Sequence, residues 1–170
     1  MAAILLTGFE PFRHWAVNAS WEAVSYLAAL QRGVAAVRLP VDHRQAAEAV
    51  RDSVADLRPE ILLLTGLADR PVPRLELFGR AGPLSPHGGP VVRRGRWGWA
   101  AARAAVAARG LPMRLSGDAG GYVCDTTYWA ALGTGAPLVA FLHLPPVGPV
   151  WTPARGARVI EAVLSAARAG

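Results

Sequence analysis

Cys124 is the only cysteine in the chain. It therefore forms no intramolecular disulfide and is the one thiol open to chemistry. It follows Gly120-Gly121-Tyr122-Val123, at the predicted first turn of a helix. A helix N-terminus favours the thiolate, the nucleophilic form of the side chain, and its open N–H groups can hold an oxyanion. His143 ends the apolar run Leu138-Val139-Ala140-Phe141-Leu142 and precedes Leu144-Pro145-Pro146. From the carboxyl end of a buried strand it could take the thiol proton. Glu76 lies within Arg70-Pro71-Val72-Pro73-Arg74-Leu75-Glu76-Leu77-Phe78. A carboxylate flanked by apolar residues can orient an imidazole. Each residue also has a plainer reading: a buried structural cysteine, a satisfied boundary histidine, a solvated glutamate paired with Arg74. Phe9, Phe12 and Tyr122 could enclose a small, flat, uncharged ligand, or could simply fill a core. His14, His43 and His87 match no metal-ligand spacing, and a single Cys cannot build a Cys-rich zinc site, so no metal is expected.

The elements that must position these residues alternate along the chain. Ala3–Thr7 reads as a short buried strand ending at Gly8. Asn18 caps a helix whose apolar residues Trp21, Val24, Leu27, Ala28 and Leu30 recur at helical spacing up to Gly33. Val34–Leu39 is a second strand, and Asp42 caps a helix over His43–Leu57 that Pro59 ends. Glu60–Thr65 reads as a strand buried on both faces. Gly66–Pro90, rich in Gly and Pro, is expected to be irregular, a length that in a compact domain signals function or mobility. Further helices are expected over Arg96–Arg109, Cys124–Leu132 and Pro153–Ala169, with strands at Met113–Ser116 and Pro137–Leu144. The pattern predicts a single α/β domain, a mixed and mostly parallel central sheet with helices on both faces. If the strands are parallel, the loops that follow them share one rim, where ligands bind in open α/β sheets. Cys124 and His143 then meet there.

Composition excludes other classes. The 170 residues are 52% hydrophobic and 18% charged, too apolar for disorder. The formal charge is +6 and all 18 basic residues are arginine, yet they are scattered. Their densest group is Arg93, Arg94 and Arg96, too small for a nucleic-acid arm, so no nucleic-acid partner is expected. No run of about 18 apolar residues free of Gly, Pro or charge marks a membrane span. The N-terminus has no charged n-region and reaches Gly8-Phe9-Glu10-Pro11 too early for a signal peptide. The expected compartment is the cytoplasm, where a lone thiol stays reduced.

Four motifs taken together resemble the pyrrolidone-carboxylate peptidases (pyroglutamyl peptidase type I). Ile4-Leu5-Leu6-Thr7-Gly8-Phe9-Glu10-Pro11-Phe12 and Asn18-Ala19-Ser20-Trp21-Glu22-Ala23-Val24 are similar to that family's N-terminus. Thr65-Gly66-Leu67-Ala68, with Arg70 and Glu76 beyond, is similar to its glutamate loop. Asp118-Ala119-Gly120-Gly121-Tyr122-Val123-Cys124 resembles its nucleophile motif, and Phe141-Leu142-His143-Leu144-Pro145 its histidine motif. The resemblance implies a cysteine exopeptidase that removes N-terminal pyroglutamate from peptides. Cys124 would be nucleophile, His143 general base and acid, and Glu76 the orienting carboxylate. Phe9, Phe12 and Tyr122 would line the pyroglutamyl pocket. It further implies no cofactor, a cytoplasmic location and homo-oligomeric assembly, since family members are often tetramers. The chain departs from the pattern at Ala19, where Pro is usual, and at Asp125, where Asn is usual. A carboxylate beside Cys124 is expected to oppose thiolate formation. The segment between Glu76 and Arg96 is short, with Arg80 standing loosely for the family's arginine and Asp118 a rival to Glu76. A catalytically weak relative that binds pyroglutamyl-like ligands is the alternative reading.

Overall fold

The computed structural model describes residues 4–168. Ala3 and Ala169, assigned by sequence to the first strand and last helix, lie outside the described residues. The elements are β1 (Ile4–Phe9), α1 (Ala19–Leu30), β2 (Val34–Leu39), α2 (His43–Leu57), β3 (Ile61–Leu67), β4 (Arg74–Glu76) and β5 (Phe78–Arg80). A single 3₁₀ turn over Gly82–Leu84 follows. Then come β6 (Val92–Arg94), α3 (Trp99–Ala108), β7 (Arg114–Ser116), α4 (Val123–Leu132), β8 (Leu138–Leu144) and α5 (Pro153–Arg168). Six strands form one sheet in the order β2-β1-β3-β8-β4-β7, and β5 pairs with β6 separately. The first four strands of that order are mutually parallel. β4 runs antiparallel to β8, and β7 runs parallel to β4. The sheet is thus mixed and mostly parallel, as the alternation predicts.

Helices cover both faces, which explains why the strands read as unbroken apolar runs. Successive strand residues point to opposite faces. Leu6, Leu63, Leu75 and Leu142 pack with α1, α3 and α5 through Val24, Leu27, Val106, Val159 and Val163. Leu5, Leu62, Leu64 and Phe141 pack on the other face with α2 and α4 through Val50, Val54, Tyr128 and Leu132. The helix starts follow the sequence signals. The Asn18 side chain accepts a hydrogen bond from Ser20 N (3.0 Å), and Asp42 accepts one from Gln45 N (2.8 Å). Such caps contribute about 1 kcal/mol each.

Three expectations are corrected. The Gly66–Pro90 stretch contains the end of β3 together with β4 and β5. β4 and β5 are three residues long, too short to show a period, and their partners lie far along the chain. The helix expected from Arg96 begins at Trp99. Arg96 instead exchanges backbone hydrogen bonds with Val139 (2.9 and 3.0 Å), and its guanidinium donates to the carbonyls of Leu132 and Ala136 (3.0 and 2.7 Å). β7 does not run with β8, so the loop to Cys124 leaves β7 against the direction of the main strands and returns to the rim through Gly117–Tyr122.

Candidate active site

The cleft at the carboxyl ends of β1, β3 and β8 has a volume of about 630 Å³. Its walls include all six residues singled out from sequence: Phe9, Phe12, Glu76, Tyr122, Cys124 and His143. β8 carries His143 to the rim, and β4, lying beside β8, sets Glu76 on the same face of the sheet. In the antiparallel pair Arg74 is opposite His143 and Glu76 opposite Phe141, so these four side chains share one face. The Nδ1–H of His143 donates to Glu76 Oε1 at 2.8 Å, with both residues buried. Glu76 is therefore not a solvated loop carboxylate, and its partner is not Arg74. Asp118, the rival carboxylate, has a side chain 80% exposed and accepts from Gly120 N at 2.9 Å.

Cys124 lies in the first turn of α4 and is half-buried. Tyr122 supplies no side-chain cap to this helix. The thiol sits over Gly66, the strand neighbour of His143. A Cβ on Gly66 would come within 2.8 Å of Cys124 Sγ and 2.9 Å of the Phe141 ring, so only glycine leaves room for the thiol there. With Nδ1 bound to Glu76, the Nε2 edge of His143 is left for Cys124. Burial opposes the imidazolium, but the charge and hydrogen bond of Cys124, then the hydrogen bond and charge of Glu76, outweigh it. Together they raise His143 from 6.5 to about 9.

Two supporting roles escaped the sequence reading. The Tyr128 hydroxyl donates to the Glu76 carbonyl at 3.0 Å, and its ring packs against Phe141, which in turn packs against His143. Burial, reinforced by the Glu76 charge, holds the phenol well above its usual pKa. The apolar i, i+4 position of Tyr128 on a helix beginning at Cys124 is the signal that could have found it. The second support is Asp125, which is buried. Its carboxylate accepts from Arg80 N (2.8 Å) and Gly121 N (3.2 Å) and lies 3.7 Å from the Arg80 guanidinium. The carboxylate is thus engaged by Arg80 and Gly121 rather than left free beside the thiol. Burial raises its pKa against the opposing pull of those hydrogen bonds and the Arg80 charge.

The Tyr128 support gives a stability prediction. A Cβ at Gly95 would lie 1.9 Å from the Tyr128 hydroxyl oxygen and 2.6 Å from the Trp99 ring. We expect Gly95→Ala to lose about 2 kcal/mol through overpacking, read as a lower denaturation midpoint.

Phe9 and Phe12 stand on the β1–α1 segment and Tyr122 at the start of α4. Phe9 N–H donates to Ser20 Oγ (2.9 Å), and Asn18 Nδ2 donates to the Glu10 carbonyl (3.0 Å), which ties this loop to α1. Phe9 is buried, Phe12 half-buried and Tyr122 exposed. Together they form an apolar wall beside the thiol.

Comparison with known proteins agrees with this architecture. The chain is similar to a pyrrolidone carboxyl peptidase structure from Thermus thermophilus. The TM-score is 0.85 and the identity 28%, covering 96% of this chain and 99% of that one. The fold is also shared with pyroglutamyl peptidase I from Bacillus amyloliquefaciens, with TM-score 0.86 at 21% identity over 96% of this chain and 94% of that one. The mixed sheet and its rim cleft are therefore those of the pyrrolidone carboxyl peptidase fold. In sequence, the chain is 34% identical over 164 residues to a pyrrolidone-carboxylate peptidase of Chromobacterium violaceum, covering 85% of this chain and 78% of the relative. The family model for pyroglutamyl peptidase matches residues 2–72. The chain belongs to the pyroglutamyl peptidase family.

Proposed function

We propose that this protein hydrolyses the peptide bond that follows an N-terminal pyroglutamyl residue, using Cys124, His143 and Glu76. The observation that carries the reading is the Glu76–His143 hydrogen bond, in one cleft with a thiol on a helix N-terminus and an aromatic wall. The neutral lactam packs against Phe9, Phe12 and Tyr122. His143 Nε2 holds the proton that Cys124 gives up, in a thiolate–imidazolium pair, and the thiolate attacks the pyroglutamyl carbonyl carbon. The oxygen becomes an oxyanion, held by N–H groups in the first turn of α4. The C–N bond then breaks, the His143 imidazolium gives its proton to the leaving amine, and a thioester remains. Water attacks the thioester with His143 as base, releasing pyroglutamate and restoring the thiol. Glu76 holds Nδ1–H throughout, so that Nε2 is the nitrogen that exchanges the proton. The family reading also implies that the protein works in the cytoplasm without a cofactor and as a homo-oligomer. Light scattering on the purified protein tests the assembly.

Hydrolysis of a chromogenic pyroglutamyl amide tests the activity. Binding of a pyroglutamyl peptide without turnover would make the protein a ligand-binding relative instead. The raised His143 pKa gives the proposal a pH signature. The imidazolium is the proton donor to the leaving amine, and it is lost as pH rises through about 9. We therefore expect kcat/KM to fall above about pH 9 in a pH–rate profile. The stability that His143 gains from its partners follows the same sign. It is fully present below the ordinary 6.5 and is lost as pH rises through about 9.

A further inference from the structure

Beyond the thiol and its partners, the mouth of the cleft carries three arginines: Arg13, Arg70 and Arg74. Among the described residues, none of their guanidinium groups makes an ion pair or a hydrogen bond to a protein acceptor. The carboxylates that share the cleft are mostly engaged. Glu76 is bound to His143, and Asp118 accepts from Gly120 N and faces Arg80. Asp69, exposed, is the remaining one. The mouth thus holds more free cations than free anions.

The position of Arg74 gives this excess a direction. Arg74 and His143 are directly opposite in the antiparallel β4–β8 pair, where side chains point to the same face and Cβ atoms stand about 5 Å apart. His143 is the group that hands a proton to the leaving amine, so the departing peptide passes next to Arg74. Arg70 lies four residues earlier, on the same exposed approach to β4. Arg13 stands over the aromatic wall, its guanidinium 5.8 Å from the Phe12 ring centroid and 5.3 Å from that of Tyr122.

We propose that Arg74, supported by Arg70, receives a carboxylate on the leaving-group side of the scissile bond. Pyroglutamyl peptides with an acidic residue or a free C-terminal carboxylate just beyond that bond are then the preferred substrates. The proposal rests on the cleavage reading above and adds a specificity to it. A guanidinium suits the task because it presents a planar fork to a carboxylate and is charged at every working pH.

The test compares kcat/KM for four substrates at low salt: pyroglutamyl-alanine amide, pyroglutamyl-glutamate amide, pyroglutamyl-alanine free acid and pyroglutamyl-lysine amide. We expect the two carboxylate-bearing substrates to exceed the neutral amide by roughly two- to fivefold, the size of a partly exposed charge pair, and the lysine peptide to fall below it. The gap should close at high salt. Which carboxylate gains more separates side-chain from C-terminal recognition. In Arg74→Gln the ratio of acidic to neutral substrate should drop toward one, with Arg70→Gln giving a smaller drop in the same ratio. Cleavage of all four substrates at equal efficiency overturns this inference and leaves the peptidase reading standing. If none is cleaved, the peptidase reading fails. Titration of Cys124→Ala with the same peptides then decides the inference: tighter binding of the acidic pair supports it, and equal or absent binding overturns it.

Discussion

Cys124→Ala should abolish hydrolysis of a pyroglutamyl amide, a loss of roughly 10⁵-fold or more, the scale seen when a covalent nucleophile is removed. No other residue can replace it, since the chain has no second cysteine. The fold should survive. Cys124 is only half-buried at the edge of the α4 face of the core, so the change should shift stability by less than about 1 kcal/mol. Alkylation provides an independent reading. Iodoacetamide should modify the folded protein quickly near neutral pH, and a pyroglutamyl analogue should slow the reaction by filling the cleft. A thiol that resists alkylation until the protein is denatured would return Cys124 to a purely structural role.

Glu76→Gln has the next largest expected effect, a drop in kcat of about tenfold to a thousandfold with KM comparatively unchanged. The carboxylate steadies the imidazolium that gives its proton to the leaving amine and is bonded to His143 itself, so its loss falls on the chemical step rather than on binding. The pH profile should move with it. Glu76 raises the His143 pKa by its hydrogen bond and its charge. Removing that charge should bring the alkaline limb below about pH 9, a shift that mere loosening of the strand would not produce. Asp118→Asn is the control, since its exposed side chain lies on the nucleophile loop away from the imidazole pair. If Asp118→Asn proves damaging while Glu76→Gln is close to neutral, the assignment of the orienting carboxylate is wrong.

The long elements could be read from the chain because their signals are local. Asn18 and Asp42 mark helix starts, and the apolar runs at Leu5, Leu62 and Val139 mark strands buried on both faces. Cys124 and His143 were legible as candidates for the same reason, each standing at the end of a strongly patterned segment. Glu76 was harder. Its burial comes from β8, where its hydrogen-bond partner His143 lies 67 positions away, and nothing near it in sequence announces a strand. The same holds for β5 and β6, three residues each, which exist because they pair with one another across a Gly- and Pro-rich span. Asp125 shows a different limit. Sequence places its carboxylate next to the thiol, but a helix turns successive side chains by about 100°, and this one points to Arg80 instead.

The order of strands across the sheet also bears on how the chain is made. β3 lies at the middle of the sheet, but its neighbour on one side, β8, is joined to it in register from Ile61 opposite Leu138, about 77 residues later. At a synthesis rate of roughly 5–20 residues per second, the Ile-Leu-Leu-Leu edge of β3 waits about 4–15 s for its partner. If β1, β2 and β3 pair during that interval, the β3 edge of the resulting sheet is apolar and lacks its native neighbour. Such an edge is a template for pairing with a neighbouring chain. The arrival of β8 closes the edge, and the same event brings His143 to Glu76. Protection from aggregation and competence for catalysis therefore emerge together, late in the growth of the polypeptide.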